Sequence, residues 1–354
     1  MNELKIGNSI IGNGNPVYCI AEMSANHNQD FRYAVRLIIE AKYAGADAIK
    51  LQTYTPDTIT INSRKEHFIA SNKHSPWNGE YLYDLYEKAF TPWEWFPALQ
   101  GVANGIGIDI FSSPFDSTAV DFLESMNVPA YKVASPEIVD VNLIRKIALT
   151  GKPVILSTGM ATLAEIDEAV RTIRSTGNNQ IALMKCTSSY PAEPDEMNLI
   201  TIPHLARRTQ LPVGLSDHSL GITAPIAAVA LGATIVEKHI KLGWLTNIDG
   251  AFSLTPGEFR DMVTAIHFAE KAVGAVRYEP SDREETGIRR SLFAVEDVKK
   301  GELFTEQNVR SIRPGYGEHP RNLVNILGKV ATVDIERGTP MSSDLYSTKF
   351  LFTQ

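Results

Sequence analysis

From residue 17 to about 273, short apolar runs alternate with longer stretches whose apolar positions recur every three or four residues. The short runs read as buried strands of a parallel sheet, and the longer stretches as helices that cover it. Strands are expected over residues 17–23, 46–53, 107–112, 130–134, 153–157, 180–187, 211–216 and 234–238. Helices are expected over 31–44, 91–104, 117–125, 142–149, 161–175, 199–207, 222–231 and 256–273. Pro153 and Pro212 stand at the start of their runs, where a missing N–H does no harm to a ladder. Eight β/α units in about 260 residues match a (β/α)8 TIM barrel in number and length. A doubly wound sheet is the alternative, but no G-x-G-x-x-G turn follows the first run.

The second β/α unit carries an insertion over residues 54–90, with His67, His74, Trp77, Tyr81, Tyr83 and Tyr86. A long loop above a barrel mouth reads as a lid. It reads equally as a packed excursion in which Leu82, Leu85 and Tyr86 form one helical face. The pattern changes after residue 277. Residues 278–290 look like a linker, with Pro280 and a solvated charge run over 282–285. Residues 291–354 break into short β-like pieces with turn chemistry, and 295–301 resembles 333–338 in pattern, as an internal duplication would. The expected organisation is therefore a catalytic barrel over 1–277, a linker over 278–290 and a small β-rich domain over 291–354.

Composition narrows the class. Of 354 residues, 44% are hydrophobic and 21% charged, enough for a large core. The net charge of −7 argues against a nucleic-acid partner, which wants clustered Lys and Arg. The two cysteines, Cys19 and Cys186, each lie inside an apolar run and read as core thiols of a reducing compartment. The first residues carry no apolar segment of the secretory kind, and no stretch approaches the roughly 20 apolar residues that span a bilayer. A cytoplasmic protein without a membrane partner is expected.

The candidate chemistry sits where the expected strands end. Two consecutive runs finish in histidine, at Ser216-Asp217-His218 and Glu237-Lys238-His239. In a barrel both imidazoles reach the mouth, and such a pair is the start of a divalent metal site, or simply two hydrogen-bonded strand-end histidines. The other run ends contribute Glu22 with Asn26 and His27, Lys50 and Gln52, Ser112 and Ser113, Lys132 with Ser135 and Glu137, Ser157 and Thr158, and Thr187 to Tyr190. Lysines and short hydroxyls in that number suggest an anion site, although any one serine is more often a helix N-cap. Ser157-Thr158-Gly159-Met160 also opens an expected helix, whose N-terminus favours phosphate. Asp249 either binds a substrate hydroxyl or caps a turn. No G-x-S-x-G elbow, P-loop or CxxC pair occurs. A Schiff base on a barrel lysine is the mechanistic competitor to a metal.

Seven strings now bear on kinship: Ala21-Glu22-Met23-Ser24-Ala25-Asn26-His27, Ala48-Ile49-Lys50-Leu51-Gln52-Thr53, Ser113-Pro114-Phe115, Tyr131-Lys132-Val133-Ala134-Ser135-Pro136-Glu137, Leu156-Ser157-Thr158-Gly159-Met160, Gly214-Leu215-Ser216-Asp217-His218-Ser219 and Glu237-Lys238-His239. Together they resemble the sialic acid synthase family. Lys299-Lys300-Gly301-Glu302 and Ile312-Arg313-Pro314-Gly315-Tyr316-Gly317 resemble its antifreeze-like (SAF) domain. The resemblance implies condensation of phosphoenolpyruvate with an open-chain acetamido sugar, with a divalent metal (Mn²⁺ or Mg²⁺) and release of phosphate. It implies His218 and His239 as metal ligands, and Lys50, Ser113, Lys132, Ser135, Ser157, Ser188 and Ser216 as holders of phosphoenolpyruvate. Glu22 is implied as acid/base or as a sugar ligand, and Tyr190 and Asp249 as sugar contacts. Arg313 is implied to reach the site of a partner subunit in a domain-swapped homodimer. Ser188 stands where the family usually has Asn, and Asp249-Gly250-Ala251-Phe252-Ser253 where it has Asp-His. These departures, with Leu82-Tyr83-Asp84-Leu85-Tyr86 and Thr91-Pro92-Trp93-Glu94-Trp95, resemble the pseudaminic acid synthase branch, whose acceptor is a 6-deoxy-2,4-diacetamido hexose. Sialic or legionaminic acid synthesis is the near alternative, and a non-catalytic sugar-binding or assembly protein the remote one.

Overall fold

Two short strands that the apolar alternation does not announce come first. β1 (Leu4–Ile6) and β2 (Ser9–Ile11) pair antiparallel. Three residues each are too few to show a period. Leu4, Ile6 and Ile11 nevertheless bury in the main core. The hairpin turn at Gly7 lies against Asp109, so close that a Cβ there would stand 2.3 Å from the Asp109 carboxylate. Asp109 opens a barrel strand, so the hairpin sits at the N-terminal end of the barrel. The computed structural model describes residues 3–12, 14–71, 76–243, 247–281, 283–284 and 286–347. His74 and two members of the 282–285 charge run, Asp282 and Glu285, lie outside them.

Among the described residues eight parallel strands close into a barrel: β3 (Tyr18–Glu22), β4 (Ala48–Thr53), β5 (Asp109–Pro114), β6 (Tyr131–Val133), β7 (Val154–Ser157), β8 (Ile181–Cys186), β9 (Val213–Asp217) and β10 (Ile235–His239), with β10 pairing back onto β3. The expected barrel stands, with its third strand two residues later than the apolar run suggested. Gly107 ends the preceding helix Phe96–Ile106 in the left-handed conformation (φ 69°), so the strand begins only at Asp109. Gly214 on β9 permits the tight approach to β10, since a Cβ there would stand 2.4 Å from the Ile235 carbonyl oxygen. Ten-residue or longer helices such as Phe31–Tyr43, Leu163–Ser175 and Pro256–Val273 turn their apolar faces onto the strands. None of these described helices is long and apolar enough to cross a membrane.

The chain divides into two compact units, Met1–Gly274 and Ala275–Gln354. The second has a core of its own, with Leu292, Ala294, Val298, Phe304, Val309 and Ile335 among its members. Its strands β11 (Ser291–Ala294) and β12 (Val309–Ile312) pair antiparallel. The two segments of similar pattern, 295–301 and 333–338, lie side by side: Val298 and Ile335 exchange both backbone hydrogen bonds at 2.8 Å.

The insertion packs over the barrel mouth and lines the cavity there. Its helix Leu82–Ala89 presents Leu82, Leu85, Tyr86 and Ala89 to the barrel mouth. Ile69 bridges Tyr81 across the loop, and the Arg64 guanidinium lies 4.7 Å from the Tyr81 ring and 3.0 Å from Asp84. His27, expected in the polar ring, turns away from it. Its Nδ1 accepts from the Gln29 N–H (3.0 Å), so its Nε2–H donates to Thr91 Oγ1 (3.0 Å), and its edge meets Trp95. It ties the end of the insertion to the loop after β3. Asn26 likewise braces Ile240 O and Ser253 Oγ.

Burial pushes the His27 imidazole down to about 4. Between that value and its ordinary 6.5 the unfolded chain binds a proton that the folded chain does not. Stability from this group is therefore complete above about pH 6.5 and is lost as the pH falls toward 4, by up to about 3 kcal/mol. Urea unfolding of wild type and His27→Gln at pH 5 and pH 7.5 checks this. The wild type should lose more stability on acidification than the variant, and equal losses would refute the assignment.

Candidate active site

The barrel strands end in charge. His239 on β10, Glu22 on β3 and Lys50 on β4 are successive register partners, so three functional side chains stand abreast across three strands. Lys50 Nζ lies 2.8 Å from Glu22 Oε2 and 3.6 Å from Glu237 Oε1, and donates to Ser113 Oγ at 3.2 Å. Lys132 Nζ from β6 meets the other oxygen of Glu237 at 3.4 Å. Gln52 donates to Glu22 and Ser216 Oγ to Glu237. Two ammoniums and two carboxylates, all at least 96% buried, thus form one neutral cluster. Glu237, which the sequence marks only as a strand-end residue, is its centre.

The two carboxylates are pushed apart. Burial raises Glu22, against the pull of Lys50. Burial works the same way on Glu237, but Lys132 and Lys50 together outweigh it and hold Glu237 below the ordinary carboxylate range. Carboxylates driven in opposite directions in one site suit different jobs, one keeping its charge and the other readier to take up a proton.

A cavity of about 250 Å³ opens over this cluster. Glu22, Lys50, Ser113, Lys132, Ser135, Ser157, Tyr190, Ser216, His218, His239 and Asp249 all line it. Ser188 stands just behind the wall. With Ser135 it crowds Gly159, where a Cβ would lie 2.3 Å from Ser188 Oγ and 2.6 Å from Ser135 Oγ. Gly159 N–H donates to Ser135 Oγ at 3.1 Å, and Ser157 Oγ is buried with no hydrogen-bond partner among the described residues. This is a hydroxyl-rich cradle beside two lysines, of the kind an anion fills. It is not a helix N-terminus as expected. The helix starts at Leu163, and Thr162 with Glu165 satisfies its first donors in a capping box. Nor do the strand-end serines close a helix N-terminus with a side-chain hydrogen bond, not even Ser135 ahead of the turn Pro136–Val139. Asp30, Asp116, Asp140, Thr162 and Thr255 do that.

The two imidazoles lie with ring centroids 5.3 Å apart. His218 Nδ1 is 3.0 Å from the Thr187 carbonyl, to which it donates, so in the neutral imidazole the lone pair is on Nε2. Among the described residues His239 Nδ1 is buried without a hydrogen bond, and Asp249 Oδ2 lies 3.8 Å from it. Burial, reinforced by His218 and the lysines, holds His239 well below its ordinary range and therefore neutral. On His218 burial opposes the Cys186 sulfur beside it, and the balance is upward. Asp249 is held by the Ala25 N–H (3.4 Å) and by Ser24, and burial raises its carboxyl. Among the described residues no three His, Cys, Asp or Glu side chains are grouped to hold a metal ion. A metal here would rest on the imidazole pair and on ligands from outside the protein.

Aromatic rings roof the site. Tyr190 lies 4.4 Å from the His218 ring and 5.4 Å from Trp77 of the insertion, and Phe252 lies 4.9 Å from His239. Trp77 was expected as one of the insertion's aromatics, whereas Tyr54 and Phe252 were not singled out as site residues, because an aromatic in a loop carries no sign of what it will cover. Cys186, read as core, is buried but belongs to the cavity wall, with Sγ 3.8 Å from His218 Nδ1. Cys19 is core as expected. Arg313 is exposed in the second unit, in the loop after β12.

Comparison with known proteins bears directly on this arrangement. Residues 37–278 match the NeuB family and residues 289–344 the SAF domain. A pseudaminic acid synthase of Campylobacter jejuni is 45% identical over 334 residues, 93% of this chain and 97% of that protein. A pseudaminic acid synthase of Helicobacter pylori is 43% identical over 333 residues, with the same coverage. The crystal structure of an N-acetylneuraminic acid synthetase from Leptospira borgpetersenii, in complex with citrate, superposes with a TM-score of 0.70 at 35% identity, covering 79% of this chain and 93% of that one. With a closed eight-stranded barrel, a charged mouth and a C-terminal SAF domain, the chain belongs to the NeuB family.

Proposed function

We propose that the chain is a pseudaminic acid synthase. It would condense phosphoenolpyruvate with 2,4-diacetamido-2,4,6-trideoxy-altrose and water, giving a nine-carbon 2-keto sugar acid and phosphate. The observation that carries the acceptor is the 43–45% identity to two pseudaminic acid synthases along nearly the whole chain, against 35% to the neuraminic acid enzyme. The apolar wall of Leu82, Leu85, Ala89 and Trp77 supports it, since a methyl and a second acetamido group replace hydroxyls on that sugar.

Lys50 and Lys132, with Ser113, Ser135, Ser157, Ser188, Ser216 and the Gly159 cradle, would hold the phosphate and carboxylate of phosphoenolpyruvate. Tyr190 and Asp249, on the imidazole side of the cavity, would face the sugar. The donor set fits a divalent ion, because His218, once neutral, has its lone pair on Nε2, and His239 is a buried neutral imidazole with an unpaired nitrogen. His218 and His239 would hold Mn²⁺ or Mg²⁺, which supplies a Lewis acid for the acceptor's aldehyde oxygen. Carbon 3 of phosphoenolpyruvate attacks the aldehyde carbon, and water adds at the electron-poor carbon 2. Glu22 would take the proton of that water and return one to the aldehyde oxygen as it becomes a hydroxyl. The carbon–oxygen bond to phosphate then breaks. We also propose that the SAF domain offers Arg313 to the barrel of a second copy in a domain-swapped homodimer.

Phosphate release from a panel of acceptors tests the function itself. The diacetamido-altrose substrate should exceed N-acetylmannosamine in kcat/KM by at least roughly 10²-fold, because the wrong sugar leaves pocket groups unpaired. Comparable values would return the chain to the sialic acid synthase branch. Chelation should abolish turnover and Mn²⁺ restore it. His218→Ala and His239→Ala should each lose Mn²⁺ binding and at least roughly 10²-fold in turnover, whereas Glu22→Gln should lose turnover and keep the ion. Full activity after rigorous chelation would exclude the metal. For the dimer, an Arg313→Ala chain mixed with a His218→Ala chain should regain activity, since one site of each mixed dimer is intact. No recovery once subunit exchange is demonstrated would mean that Arg313 serves its own barrel or none.

A further inference from the structure

Behind the two histidines lies a buried ion pair that the proposed chemistry leaves unused. Lys238 Nζ and Asp217 Oδ2 are 2.5 Å apart, and both side chains are 0% exposed. The residues are register partners on β10 and β9. Side chains alternate along a strand, so these two point away from the mouth while Ser216, His218, Glu237 and His239 point into it. Neither lines the cavity.

The pair is tied to one short turn. Lys238 Nζ also donates to the Ser219 carbonyl oxygen, and Asp217 Oδ1 accepts from the Ser219 N–H at 3.0 Å. His218 sits between the two anchored residues. Its own carbonyl accepts from the Ala192 N–H (3.0 Å), and its Nδ1 is held by Thr187 O (3.0 Å). On the other strand Lys238 is the neighbour of His239, so one ammonium fixes the backbone next to both imidazoles. Stability does not account for this arrangement. A buried ion pair must overcome the desolvation of two charges, and an apolar pair of similar volume often serves a fold as well. What an apolar pair lacks is a hold on the N–H and the carbonyl of Ser219 together.

We propose that Lys238 and Asp217 are positioning residues that set His218 and His239 at the separation a divalent ion requires. The inference rests on the metal reading of the histidines. Groups behind a ligand shell that orient the ligands typically change metal affinity by 10- to 100-fold when replaced.

The test is Mn²⁺ binding alone, without substrates, read from the loss of the free-ion electron paramagnetic resonance signal. The double variant Asp217→Asn/Lys238→Met leaves no unpaired charge in the interior. It should unfold cooperatively near the wild-type temperature yet bind Mn²⁺ about 10- to 100-fold more weakly. At saturating Mn²⁺ its KM for phosphoenolpyruvate should stay within about twofold of wild type, because the Gly159 cradle lies elsewhere. A double variant that binds Mn²⁺ as the wild type does would overturn the inference. Should the double variant not fold, Asp217→Glu replaces it: the pair is kept and one arm is a methylene longer. Weaker Mn²⁺ binding by that folded variant supports the role, and unchanged binding overturns it. Wild-type protein that binds no Mn²⁺ would refute the metal reading, and this inference with it, a result separable from equal binding by wild type and variant.

Discussion

Four charges that cannot leave one another govern the mouth of this barrel. Glu22, Lys50, Lys132 and Glu237 lie in a protein interior where a lone ion is costly and a matched set is tolerable. Their arrangement follows from strand register. Parallel neighbours bring Glu22 beside Lys50 and His239 beside Glu22, and alternation points all of them to the axis. The ammoniums are shared. Each that would hold an anionic substrate is already engaged by a carboxylate, so the empty site is neutral rather than cationic. Ser157 and the Gly159 cradle add donors without adding charge.

Much of this was legible because a barrel converts sequence position into place. A run that ends in a polar residue ends at the mouth, which is why Lys50, Lys132, His218 and His239 could be chosen from eight strand ends. The same rule misled for His27 and Asn26. They lie beyond the end of β3, where the chain has left the strand geometry and commits its side chains to neighbouring loops, at Thr91, Ile240 and Ser253. The expected helix N-terminus at Ser157 failed for a similar reason. Thr162 and Glu165 form a capping box five residues on, a stronger start signal than the glycine before it.

What stayed hidden has no short-range signature. The hairpin of β1 and β2 is too brief to show a period, yet it seats three aliphatic side chains in the main core. Trp77 and Phe252 meet beside the histidines from separate segments, and Tyr54 lines the same cavity from a third. Cys186 lies in an apolar run like any core thiol, and only the end of β8 at the cavity wall sets it apart from Cys19. Glu237 was visible only as the polar residue two positions before His239. Its place between two lysines from different strands depends on closure of the whole ring.

The shared ammoniums carry a consequence for how such a site drifts over generations. Removing either carboxylate leaves a buried cation in excess, and removing either lysine a buried anion. Single substitutions at these four positions are therefore steep losses, while a matched pair of losses is the shallower step. The rim, by contrast, is paved with uncharged rings and aliphatic groups from the insertion, each replaceable on its own. Change in this molecule is channelled outward, so new acceptors are reached by resurfacing the roof while the charged floor stays locked in mutual epistasis.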